Sequence, residues 1–63
     1  MARRDRAFMA GFAIALADAQ RLHDCPTTVK DVIKGAGFTI EDFERAGVEE
    51  YDLAELRKAW GEG

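Results

Sequence analysis

The residue types that do chemistry most readily occur together once, at His23-Asp24-Cys25. A zinc site needs about four ligands at set spacings. Here one histidine and one cysteine stand two residues apart with no second pair, so no metal site is expected. A thiolate nucleophile needs a base, an orienting group and a pocket. A chain of 63 residues has little room for a pocket, and the plain reading of this triplet is a polar helix end beside a thiol. The sequence contains no glycine-rich phosphate loop, no nucleophile elbow and no evident pair of catalytic carboxylates. We therefore expect no catalytic residue, no cofactor and no enzymatic activity.

A second constellation is acidic. Glu41, Asp42, Glu44, Glu49, Glu50 and Asp52 fall within twelve residues, with Tyr51 among them. Such a run is ordinarily a solvated face. Its functional reading is a patch that docks on a basic protein surface, with Tyr51 as an anchor. Glu41, Glu44, Glu49, Glu50 and Tyr51 are the expected partner-binding residues. The short rhythm of residues 28–46 also admits a helix-turn-helix, giving a small dimeric DNA-binding regulator as the alternative. Its recognition helix would be 40–46, which holds three acids and one arginine, the wrong sign for a phosphate-lined groove. Lys30 and Lys34, with Arg3, Arg4 and Arg6 as an arm, would be the positive contribution. Direct DNA binding is accordingly the weaker expectation.

The elements that carry these residues read as helices throughout, and no strand pattern is evident. The run 7–17, AFMAGFAIALA, is apolar on every side. It is too short to span a bilayer, which takes about 20 residues. Arg3, Arg4 and Arg6 ahead of it, with Ala17-Asp18-Ala19 behind, resemble a secretory signal. Asp5 within the basic region, and only 44 residues beyond Ala19 with one cysteine, favour a buried helix instead, over about 3–23 and ended by the Pro26 region. Ala7, Gly11, Ala15 and Ala19 recur every four residues on one face, where small side chains let two backbones approach closely. Phe8, Phe12 and Leu16 run beside them, while Met9, Ile14 and Leu22 fill other faces.

Thr28 lies three residues before Asp31, Thr39 three before Asp42, and Asp52 three before Glu55. Each is a capping box or a shorter-acid variant. Gly37 and Gly47 supply helix stops. Three short helices follow, at about 28–35, 39–46 and 52–60. Val29, Val32, Ile33, Phe38, Ile40, Phe43, Val48, Leu53, Leu56 and Trp60 are expected to turn inward. The whole chain, 1–63, reads as one small all-α domain: a long first helix and a helical knot over 28–60.

One domain of this size buries only about 60% of its unfolded surface, and a single cysteine permits no internal disulfide. The short helices look insufficient to cover the first on every side, so a two-fold homodimer through helix 1 is expected. Ala7, Phe8, Gly11, Phe12, Ala15, Ala19 and Leu22 are its expected interface, and a groove where the two subunits meet is the alternative to the acidic half as the partner-binding surface. The net charge of −3 is uneven: residues 1–25 carry four arginines against three aspartates, residues 26–63 five bases against nine acids. The lone cysteine fits a cytoplasmic location, and no membrane association is expected.

Several stretches together resemble the small accessory proteins of temperate tailed phages and prophages of proteobacteria. They are the arginine-rich start, Phe8-Met-Ala-Gly-Phe12, Leu22-His23, the run from Val32 to Thr39 and the run from Ala46 to Leu53. The likeness covers most of the length and carries no diagnostic motif. It implies a protein that binds a host protein and blocks it, as quorum-sensing anti-activators and anti-CRISPR proteins do. A transcription regulator or another nucleic-acid-binding protein would be a matching partner, and the activity would be inhibition or modulation.

Overall fold

The computed structural model describes residues 5–62, and four helices form among the described residues. Helix α1 spans Arg6–His23. Asp5 begins it as an extended N-cap whose Oδ1 accepts from the Phe8 N–H at 2.8 Å, satisfying one of the donors that a helix start leaves unpaired. The expected start at residue 3 lies outside the described residues. The helix ends at Asp24, which adopts a left-handed conformation (φ 45°) and donates its N–H to the Gln20 carbonyl at 2.8 Å. The end at His23 is the expected one, just ahead of Pro26, which itself opens the next helix.

Helix α2 spans Pro26–Gly35. The expected start at Thr28 is thus corrected. Proline has no N–H to leave unpaired and a φ already helical, so it suits the first helical position. Thr28 lies inside the first turn, and Cys25 occupies the cap without a side-chain capping bond to α2. Helix α3, Ile40–Arg45, begins as expected at Thr39. There the Asp42 carboxylate accepts from the Thr39 N–H at 2.8 Å, closing a capping box. Helix α4 spans Glu50–Glu62, two residues earlier and two later than the expected 52–60. Glu49 offers its carbonyl to the N–H groups of Asp52 and Leu53, so Asp52 is not a cap. Its side chain is drawn to Arg21 on α1 instead.

The two near-identical phrases end in the same way. Gly37 and Gly47 have φ of +82° and +77°. Behind Gly37, Phe38 donates to the Ile33 carbonyl (3.1 Å) and Gly37 to that of Lys34 (2.9 Å). Behind Gly47, Val48 donates to Phe43 (3.2 Å) and Gly47 to Glu44 (3.1 Å). Both are Schellman stops, in which a left-handed residue turns the chain back on the last carbonyls. The residue after each glycine, Phe38 or Val48, is thereby directed back toward the helix it terminates.

Met9, Ala13, Leu16 and Ala17 of α1 meet Val29, Ile33, Phe38, Phe43, Leu53, Leu56 and Ala59 in one core. Phe12, Phe38 and Phe43 form a triangle with ring centroids 5.8–6.0 Å apart. Each such pair adds about 0.5–1.5 kcal/mol beyond its burial. Ile40, Val48 and Trp60 pack against the core from its edge. Val32 is a correction: it is 41% exposed, because Val29 and Ile33, four apart, define the inner face of α2 and Val32 lies to one side of it.

The Cα radius of gyration, 10.2 Å, matches the roughly 10.6 Å of a compact chain of this length. The expectation that the later helices cannot cover α1 therefore holds for one face only. They seal the stripe from Met9 to Gln20 completely, and the opposite face stays bare.

Candidate protein-binding surface

The buried stripe of α1 runs through Met9, Ala13, Leu16, Ala17 and Gln20. Shifting by two residues rotates about 200° around a helix, which places Ala7, Gly11, Ile14, Ala15, Asp18 and Leu22 on the far side. The exposures agree: Ile14 is 50% and Leu22 75% exposed, and Ala7, Gly11 and Ala15 are exposed. A Cβ built on Gly11 meets no atom within 4 Å, so nothing inside the chain calls for a glycine there.

Of the seven residues expected at an interface, Ala7, Gly11, Ala15 and Leu22 share this outer face. Phe8, Phe12 and Ala19 lie on its flank. Phe8 stacks on Phe12 at 5.4 Å and leans on Phe38 at 6.3 Å. Phe12 is half-buried in the aromatic triangle, and the carbonyl of half-buried Ala19 accepts from the Cys25 thiol at 3.7 Å. Ile14 was not among the seven. Its place in the spacing 7, 11, 14, 18 was the available signal. Asp18 interrupts the apolar face, and its charge is matched by Arg21 at 2.6 Å.

The acidic constellation divides. Arg57 gathers Glu44 (2.9 Å) and Glu50 (2.7 Å), one from each of α3 and α4. Those two hydrogen bonds raise the Arg57 guanidinium above its ordinary value. Glu41 stays exposed in the first turn of α3. Tyr51 faces α1, 68% exposed, with the Arg21 guanidinium 4.0 Å from its ring centroid. Arg21 also reaches Asp52 at 3.3 Å and the Tyr51 carbonyl at 3.4 Å. Desolvation works against its charge, and the Asp52 hydrogen bond with the nearby carboxylates of Asp18 and Glu55 works for it, leaving it above its ordinary value. Arg21 thus ties the end of α1 to the start of α4, a role that residue spacing alone could not disclose.

Glu49 has no cation against it among the described residues. It borders a groove of about 240 Å³ whose other lining residues are Ala10 and Ile14 of α1, Gly47, Val48 and Asp52. A second hollow, about 280 Å³, lies between Arg6, Met9, Asp42, Arg45 and Ala46.

His23 is exposed at the end of α1, and no three His, Cys, Asp or Glu side chains among the described residues are grouped to hold a metal. On α3, the candidate recognition helix, Glu41, Asp42 and Glu44 outnumber Arg45, which lies 3.8 Å from Asp42. Lys30 and Lys34 sit 5.5 and 5.9 Å from the Trp60 ring centroid. Arg3 and Arg4 lie outside the described residues. Among those described, no helix is long and apolar enough to cross a membrane. Comparison with known proteins finds no matching family, no similar characterised protein and no similar solved structure.

Proposed function

We propose that the protein is a non-enzymatic interaction module that pairs with a second copy through the outer face of α1 and docks on a larger protein to modulate it. The observation that carries the reading is the bare apolar face of α1 with an uncalled-for glycine at its centre. Glycine within a helix costs about 1 kcal/mol against alanine. Full burial of Leu22, 75% exposed in the single chain, is worth about 1.5–3 kcal/mol. A second α1 crossing at Gly11 and Ala15 recovers both, since small residues allow two helix axes to come together at the close end of the usual 8–10 Å. The acidic stretch over α3 and the start of α4 then supplies a charge pattern for a basic partner surface. The resemblance to phage accessory proteins supports a host protein in that role, with inhibition as the consequence.

Sedimentation equilibrium tests the pairing. The expected particle is twice the 7.0 kDa chain, reverting to 7.0 kDa in Gly11→Leu with an unchanged circular dichroism spectrum. A wild-type particle of 7.0 kDa at every concentration up to the millimolar range would falsify it.

A further inference from the structure

We infer that the groove between α1 and the α3–α4 turn is the seat for one apolar side chain of a basic partner segment. The inference rests on the reading of the protein as a docking module and specifies what docks. Ala10 and Ile14, one helical turn apart, and Val48 give the groove its apolar lining. Gly47, held at φ +77° by the Schellman stop, contributes a wall without a side chain. The opening is therefore a product of the turn itself. About 240 Å³ is room enough for a leucine, isoleucine or methionine side chain.

Charge selects the occupant. Glu49 and Asp52 border the groove. Among the described residues Glu49 has no cation against it, and Asp52 shares the guanidinium of Arg21 with Asp18. Residues 41–55 carry seven acids and one arginine. An apolar residue flanked by arginine or lysine completes this arrangement, and one flanked by acids is repelled. The carboxylates also discriminate against a purely apolar occupant, which would leave Glu49 beside it partly desolvated and unpaired.

The test titrates the isotope-labelled protein with short acetylated peptides at low salt and follows its amide resonances. The first peptide has one leucine between pairs of arginines; the second replaces the leucine by serine; the third replaces the arginines by glutamates. The first is expected to shift the amides of Ala10, Ile14, Gly47, Val48 and Glu49. Serine should weaken it about tenfold or more, as for a buried leucine side chain, and the glutamate peptide should not bind. Ala10→Gln, on an exposed helix position, should weaken the first peptide about tenfold by filling the groove. Glu49→Gln should weaken it about threefold. An unchanged amide fingerprint shows that each variant is folded. The inference is overturned by leucine and serine peptides of equal affinity, by shifts scattered over the acidic surface, or by no shift at millimolar peptide. It is also overturned if the amides of Gly47, Val48 and Glu49, which lie off α1, move with protein concentration alone, which would place a second copy in the groove. Sedimentation reports on pairing independently, so a dimer that ignores the peptide sinks only this inference, and a monomer that binds it sinks only the pairing.

Discussion

Replacing Gly11 by alanine separates what the chain needs for its own fold from what a neighbour needs. Gly11 lies mid-helix, six residues into α1, and its missing methyl group would meet no atom within 4 Å. Inside one chain the substitution should therefore return only the helix-propensity difference, about 0.8–1.0 kcal/mol in favour of alanine. In a domain of 60–100 residues that raises Tm by roughly 4–8 °C. Between two copies the sign reverses. A methyl group forced into a close backbone crossing is overpacking, which typically costs about 1–3 kcal/mol. Added to the dissociation free energy, that weakens the dimer about 5- to 150-fold. The assay is thermal circular dichroism at a dilution where sedimentation gives the 7.0 kDa species, followed by sedimentation over a concentration series. A lower Tm in the dilute variant refutes the claim that the fold leaves Gly11 free. A dimer constant unchanged or tightened refutes backbone contact at this position.

Gly47→Ala should cost about 1–2 kcal/mol, because φ of +77° puts an L side chain in the left-handed region; Gly35→Ala, in α2 with open space around it, should cost nothing, and equal urea midpoints for the two would contradict the turn geometry. Phe43→Ala, at a fully buried corner of the aromatic triangle, should cost about 3–5 kcal/mol. That approaches the whole stability expected of 63 residues, roughly 3–9 kcal/mol, so near-ultraviolet circular dichroism should show lost tertiary packing at 25 °C; a cooperative unfolding transition of wild-type midpoint would exclude the core as described. Gln20 is 2% exposed with its Oε1 unpaired, although its Nε2 donates to Asp24 at 3.0 Å. Gln20→Met should raise stability by about 1 kcal/mol by removing a desolvated acceptor; a fall in the denaturation midpoint would mean that the acceptor is satisfied in solution.

Much of the architecture was legible because it is written in local chemistry. The phrase Thr39 to Gly47 specifies a start and a stop within nine residues, and both formed as read: the Asp42 carboxylate closes the box and Gly47 turns left-handed. Thr28-to-Asp31 has the same spelling but opens no helix, since Pro26 offers an earlier start that needs no side-chain acceptor. Asp52 departs from the pattern for a different reason. Its capping role was inferred from neighbours in sequence, whereas its partner is Arg21, thirty-one residues away. The small-residue stripe was legible as a stripe. Which of its neighbours would turn inward was not: Phe12 and Phe8 were claimed by Phe38 and Phe43, rings that reach them only after two turns have folded the chain back.

The order of letters settled the helices, their stops and the apolar character of residues 7–17, because caps, left-handed glycines and helical periodicity act over four or five residues. Only the packed chain decided which half of that apolar helix would be hidden. Three helices of limited length cover a cylinder on one side; the remaining side, and the groove that Gly47 leaves next to it, exist because of how α3 and α4 lie across α1. Long-range placement of this kind depends on contacts between residues distant in the chain, and no local pattern encodes them.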